Sequence, residues 1–437
     1  MRIQAVGGTV DRSSGCVLIE SASHRILIDP GLGAVTPAII AGFKAAGKLT
    51  GTVVTHAHID HMGALPLVVA AFPDMPILAT PPTSALLEVL LADSLRLRQA
   101  SERSEASHAE AVALLARTRS IPFHQPTELS DRGGDKSGWK LTLLPAGHVL
   151  GAAMVYLETP SGTVVVTGDM GSLPQHTVRR AVHPPRTVNV LVLESTYGDR
   201  TFRPRKVEEA GLLDRVQTAL ERGGHVLIGT PALGTAQEIL MVLATARLQG
   251  RLASDIWVDG QVRDVNTVYA AHAPDQYPRL ARFIAMYGNP FLPDNGLVRA
   301  VVKPADRKPI LAGAPAVIVT TSPSLTTGPS RYYATLLAQG SKHLLLVPEQ
   351  LNALQFAPSV MAQGGPRCSV DRYSLGVHSD GVALASLAAR WKPDLTVLVH
   401  GTRTARQKLG TRLAQLGLAH CTLSPGENVT HIVEPTT

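Results

Sequence analysis

Through the first 200 residues, short β-branched runs that end in Gly, Asp, Pro or His alternate with stretches of helical spacing. The segments "HRILIDPG", "GTVVTHA", "PILATPP", "KLTLLPAGH", "SGTVVVTGD" and "VNVLVLEST" read as strands closed by turn residues, and "GALPLVVAAF" reads as a helix. The spacing of Leu and Ala from Pro81 to Arg119 predicts two helices split near "SERSEASH". That alternation is an α/β pattern with a sizeable sheet. Around Arg200 the texture changes to a Pro- and Arg-rich link, and a second α/β run begins. It comprises a helix over 206–222, strands in "GHVLIGTP", "SDIWVDG", "AVIVTTS" and "HLLLVPE", and helices in "TAQEILMVLATARL" and "DVNTVYAAHA". A second, doubly wound domain is predicted there. After "AQGGPRC" the tail returns to strand, helix, strand, helix, which sets the expected boundaries at 1–202, 203–367 and 368–437.

Length changes the picture little: 437 residues with 45% apolar content suit two or three packed domains. Apolar runs such as "ALPLVVAAF" fall short of the roughly 20 residues of a membrane helix, and "MRIQAVGGTV" alternates like a strand rather than a signal peptide. The expectation is a cytoplasmic protein without a membrane partner. Cys16, Cys368 and Cys421 are far apart and odd in number, which excludes a disulfide framework or a zinc knuckle. The net charge of +7 favours an anionic partner, with basic residues in "TVRRAVHPPR", "DRTFRPRK" and "GTRTARQK".

The densest chemistry is "TVVTHAHIDHMGAL", where His56, His58, Asp60 and His61 fall at a strand-to-helix turn. Side chains two apart on an extended segment point the same way, so His56 and His58 can grip one ion while Asp60 and His61 turn toward a second. Further candidates stand at strand ends: His148 in "PAGHVLG", Asp169 in "VTGDMG" and His400 in "VLVHGT". Seven ligands make sense for a binuclear centre with one bridging carboxylate.

The pattern HxHxDH, with "LIDPG" before it and "AGH" and "TGD" after it, resembles the metallo-β-lactamase superfamily. "VLVLESTYGDR", "LGVHSD" and "VLVHGT" are similar to motifs A, B and C of the β-CASP nucleases, and nearly the whole chain follows the bacterial and archaeal cleavage-and-polyadenylation-specificity-factor-like ribonucleases. The resemblance implies an αββα sandwich with an inserted doubly wound α/β β-CASP cap. It implies two Zn²⁺ ions, a role that Mn²⁺ also suits, held by His56, His58 and His148, and by Asp60, His61 and His400, with Asp169 between them and Asp29 orienting a ligand histidine. A hydroxide bridging the ions would attack phosphorus in single-stranded RNA, with Asp60, Glu194 and His378 as the catalytic set and His378 at the leaving oxygen. The spacing of 22 positions from His378 to His400 matches that of motifs B and C, and by the resemblance a histidine at motif C marks RNA-processing members.

In the cap, "TTSPSLTTGPSRYY" resembles a family segment reading SSGMLxGGPS and offers Ser322, Gly328 and Ser330 as substrate contacts, with Arg200 beside motif A. Pro323, Ser324 and Thr235 depart from the family pattern, which leaves substrate preference, endo against exo action and a 5′-end requirement open. A homodimer is a further expectation. Two other readings stand beside the ribonuclease: a DNA-directed β-CASP nuclease, and a non-catalytic RNA-binding scaffold.

Overall fold

The computed structural model describes residues 1–9, 11–21, 24–98, 114–130, 136–351 and 364–430. The expected split near "SERSEASH" and the helix after it lie outside the described residues up to 113. The chain forms two compact units: Met1–Leu173 with Arg179–Thr201 and His378–Thr437, and Pro174–Val178 with Phe202–Val377.

The first unit holds two seven-stranded sheets. One runs in the order Asn428–Thr430, Arg2–Ala5, Val17–Ser21, His24–Ile28, Gly51–Val53, Ile77–Ala79 and Thr118–Ser120. The other runs His420–Thr422, Leu395–Val399, Val190–Glu194, Gly162–Val166, Ala153–Thr159, Lys136–Pro145 and Thr127–Ser130. Alternate residues of both sheets meet in one core: Ile3, Ile19, Ile26, Ile28 and Val53 from the first, and Leu141, Leu143, Val155, Val164, Val192 and Val397 from the second. The period of two leaves Leu18 and Leu27 on the other face of the first sheet, where they pack with Ile40 and Phe43 of helix Pro37–Ala45 and Val68 of helix Leu65–Ala71. Helices Gly381–Trp391 and Arg403–Gln415 pack together, and the second of them lies against Leu395–Val399 and His420–Thr422. This is the expected αββα sandwich.

The second unit is built on a six-stranded sheet ordered Arg299–Ala300, Ile256–Asp259, Val317–Thr320, Val226–Gly229, Leu344–Pro348 and Ser369–Tyr373, every pair parallel. Its inner strands are continuous apolar runs, as a parallel sheet covered on both faces requires. Leu227, Ile318 and Leu345 pack against Tyr333, Ala334 and Leu337 of helix Gly328–Leu337. The expected boundary at Cys368 is corrected here. Residues 368–377 belong to the second unit because Ser369–Tyr373 pairs with Leu344–Pro348, and the short segment Pro174–Val178 joins the same unit.

Candidate metal and acid–base centre

Six candidate side chains of the first unit sit at, or just past, the carboxyl end of a strand, while Asp60 and His61 sit on helix Ile59–Met62. Asp29 follows His24–Ile28, His56 follows Gly51–Val53, His148 follows Lys136–Pro145, Asp169 follows Gly162–Val166, and His400 follows Leu395–Val399. Glu194 closes Val190–Glu194. Asp29, His148 and His400 take left-handed backbone angles, with φ of 54°, 54° and 57°, which turn their side chains out of the strand direction. Close approach does the rest. A Cβ on Gly31 would lie 1.5 Å from the Asp60 carbonyl oxygen, and one on Gly147 would lie 2.0 Å from that of Gly171, so glycine is required at both.

Two groups of donors result. In the first, His58 Nδ1 lies 3.0 Å from His56 Nε2 and 3.1 Å from His148 Nε2. Asp169 Oδ2 stands 3.6 Å from the former ring and 3.7 Å from the latter. Separations near 3.0–3.7 Å are the edges of a tetrahedron whose corners lie about 2.0–2.1 Å from a central ion. In the second group, Asp60 Oδ2 lies 3.9 Å from His61 Nε2 and 3.5 Å from His400 Nε2, and Asp169 Oδ2 is 3.4 Å from His61 Nε2. Asp169 therefore faces both groups.

Hydroxyls and carboxylates behind these rings set their tautomers. Asp29 Oδ2 accepts from Thr55 Oγ1 and from His61 Nδ1, each at 2.7 Å. With its proton given to Asp29, the Thr55 hydroxyl is the acceptor for His56 Nδ1 at 3.0 Å. Thr196 does the same for His400: its hydroxyl donates to Glu194 Oε2 at 2.5 Å and accepts from His400 Nδ1 at 2.8 Å. In all three histidines Nδ1 carries a proton, and Nε2 faces the donor group.

Electrostatics agrees with a cation. Burial, followed by the neighbouring His61, lowers the affinity of His56 for a proton; burial and then His378 do so for His148. Burial lowers His58 too, against the pull of Asp60. Three neutral imidazoles with converging lone pairs suit a metal and repel nothing but one another. Burial disfavours an ionised Asp60, but His61 and His400 outweigh it and hold the carboxyl well below its usual range. His61 Nε2 and Asp169 Oδ1 are buried without a hydrogen-bond partner among the described residues. Unsatisfied buried donors and acceptors are costly, and coordination to an ion would satisfy both. The donor set fits two divalent cations.

His378 stands apart from this set. Its Nδ1 is 3.4 Å from Glu194 Oε1, and its Nε2 is 3.8 Å from Asp169 Oδ2. Burial works against a charged ring, but Asp169 and Glu194 outweigh it and push His378 up to about 9. Cations at Asp169 would draw on the same carboxylate and lower that value. Glu194 is itself fixed, accepting from the Met170 amide at 2.7 Å. On the far side of His378, the Ser379 amide donates to Met170 O at 2.6 Å, and Ser379 Oγ accepts from the Ser172 amide at 2.9 Å.

The tyrosine of "ESTYGDR" completes the surroundings: the Tyr197 ring meets His378 edge-on at 5.4 Å, and the Arg200 guanidinium lies 5.4 Å over Tyr197. Ser322, Gly328 and Ser330 belong to the second unit. Ser330 is buried, and its hydroxyl is occupied, accepting from the Ser322 amide at 2.7 Å and donating to Thr327 O at 2.9 Å. It shapes its loop from inside. Ser322 Oγ is within 3.0 Å of Ser324 Oγ, and Gly328 opens the following helix. Thr55, Thr196 and Ser379 carry no signal in the sequence beyond a hydroxyl next to, or two residues from, a candidate ligand or acid.

The fold and the site define the class: the chain belongs to the metallo-β-lactamase superfamily, whose family model matches residues 10–229. It is similar to the transcription termination factor FttA of Thermococcus kodakarensis, 30% identical over 447 residues that cover 92% of this chain and 66% of that protein. It is also similar to an RNase J-like protein of Methanocaldococcus jannaschii, 26% identical over 414 residues and covering 91% of each. Both relatives are β-CASP proteins, the group that the motifs at Glu194, His378 and His400 resemble. The chain spans about two thirds of the length of the termination factor. No helix among the described residues is long and apolar enough to cross a membrane.

Proposed function

We propose that the chain is a metal-dependent ribonuclease that hydrolyses phosphodiester bonds of single-stranded RNA. The observation that carries this reading is His378, a protonatable ring held by Glu194 beside Asp169 yet outside both donor groups. The 3′-oxygen of a phosphodiester is a poor leaving group, so an acid beside the cations suits that bond. The names of the relatives, an RNase J-like protein and transcription termination factors, support RNA as the substrate class.

In this reading His56, His58, His148 and Asp169 would hold one divalent cation, and Asp60, His61 and His400, with Asp169 beside them, would hold a second. The histidine-rich donor set favours Zn²⁺, with Mn²⁺ as a substitute. When bound, such cations lower the pKa of water and offset charge gathering on the phosphoryl oxygens. The chain's own residues do the rest. Thr55, Asp29 and Thr196 keep the Nδ1 protons of His56, His61 and His400 away from the donor groups. Asp60, held ionised by His61 and His400, would orient the attacking water by accepting a hydrogen bond from it. His378, oriented through Nδ1 by Glu194, presents its Nε2 proton to the departing oxygen. Matched RNA and DNA oligonucleotides test the substrate class: the RNA is cut and the DNA is spared, and equal cutting of both would overturn the choice of RNA.

A further inference from the structure

The chain passes between the two units at four places: Leu173 to Pro174, Val178 to Arg179, Thr201 to Phe202, and Val377 to His378. Within the second unit, residues near the first three passages donate to one buried carboxylate, and the fourth is tied to it through Arg205. Glu238, on helix Thr235–Leu248, is fully buried. Its Oε1 accepts from the Thr177 amide at 2.8 Å and the Thr177 hydroxyl at 2.5 Å, and its Oε2 accepts from the His176 amide at 2.9 Å. Those two residues lie between the first two passages. Glu238 Oε2 also accepts from Arg205 Nη2 at 2.5 Å, and Arg205 is three residues past Phe202. The same guanidinium donates from Nη1 to Gly376 O at 3.3 Å and from Nε to Glu209 Oε1 at 2.9 Å. Glu209 in turn takes His176 Nε2 at 2.8 Å. Gln175 Nε2 donates to Val377 O at 3.4 Å, and Tyr277 Oη donates to Gln175 O at 3.3 Å.

A buried carboxylate is expensive unless every oxygen is paired, and this one receives four donors, three of them from residues beside the passages. We propose that Glu238 and Arg205 form a clasp that gathers the crossing segments and thereby positions His378, so that they are positioning residues for the acid of the reaction. This rests on the reading of His378 given above. Glu194 and Ser379 fix the ring and the chain after it, and the clasp fixes Gly376 and Val377, the two residues before it. One carboxylate and one guanidinium then decide whether the backbone enters His378 in register. Misplacement by about 1 Å can cost on the order of 10²-fold in rate.

The test uses the full-length protein with Glu238→Gln, Arg205→Lys and, as a core variant of the same unit away from the clasp, Ile318→Val. Three readouts are taken: bound zinc per chain, kcat and KM on single-stranded RNA, and hydrogen exchange of residues 174–178 and 373–377. Glu238→Gln and Arg205→Lys are expected to keep wild-type zinc and a KM within about twofold, lose about tenfold or more in kcat, and exchange faster in those two segments. Ile318→Val is expected to lower the melting temperature with neither change. The clasp is overturned if both variants keep wild-type kcat, if exchange in the two segments is unchanged, or if kcat falls only in proportion to lost zinc or lost folded protein. Should Glu238→Gln fail to fold, Arg205→Lys, which keeps the charge but cannot span three acceptors, decides alone. A wild-type protein that leaves RNA intact would sink the ribonuclease reading, while the exchange measurement would still report on the clasp.

Discussion

His378 Nδ1 lies 3.4 Å from Glu194 Oε1, although 184 residues separate the two in sequence. The pair puts a protonatable ring beside the donor groups without adding a ligand to them. His378→Ala is therefore expected to bind metal as the wild type does and to lose roughly 10²- to 10⁴-fold in turnover. Glu194→Gln should lower turnover through the ring and also weaken metal binding through Thr196 and His400, so the double variant should fall below His378→Ala. Metal analysis alongside single-turnover cleavage checks this; loss of metal in His378→Ala would make it a ligand.

Asp29 accepts from the Thr55 amide, the Thr55 hydroxyl and His61 Nδ1, all at 2.7 Å, and is fully buried. Asp29→Asn turns one acceptor oxygen into a donor and frees His61 to flip its tautomer. Metal affinity is expected to fall roughly 10- to 100-fold, read by chelator competition. Unchanged affinity would remove Asp29 from any role at the site.

Thr196→Val keeps the shape of the side chain and removes the hydroxyl between Glu194 and His400. It should weaken one of two binding steps by about tenfold and leave the step that depends on His56, His58 and His148 alone. A two-step titration calorimetry curve separates them, and equal weakening of both steps would contradict the assignment.

His225 and His343 supply a pH dependence away from the metal centre. His225 Nδ1 accepts from the Ala316 amide at 3.2 Å, and Nε2 donates to Leu311 O at 3.2 Å; His343 Nδ1 accepts from the His225 amide at 2.9 Å. Those bonds need neutral rings. Burial lowers both, His343 being lowered further by His225 and Lys342. The unfolded chain then binds protons that the folded one refuses, so stability is complete above the ordinary value of 6.5 and is lost as pH falls below it. Melting temperature should drop between pH 7.5 and 5.5, and the drop should shrink in His225→Asn. An undiminished drop would place the sensitive groups elsewhere.

Much of the first unit was legible because its strands end in the very residues proposed as donors: "THAHIDH", "AGH", "TGD" and "VHGT" mark both the turn and the candidate ligands. Pairing of Asn428–Thr430 with Arg2–Ala5 was not, since no local pattern announces a strand that closes a sheet from the far end of the chain. Ser369–Tyr373 was assigned to the wrong unit for a related reason: "SVDRY" is an edge strand with mostly exposed or half-exposed residues, and its partner is chosen by pairing rather than by periodicity. Helix Pro37–Ala45 went unread because only Ile40 and Phe43 are buried on it. Thr55, Thr196 and Glu238 act through what folding brings to them, which spacing does not record.

The most direct test is cleavage of 5′-labelled single-stranded RNA by the purified protein as isolated, after chelation, and after Zn²⁺ or Mn²⁺ is restored, with metal per chain measured on the same samples. About two ions per chain are expected for the seven-residue donor set, with shortened RNA bearing 3′-hydroxyl and 5′-phosphate ends, loss of cutting on chelation and its return with metal. Intact RNA in a sample carrying its full metal would contradict the ribonuclease reading.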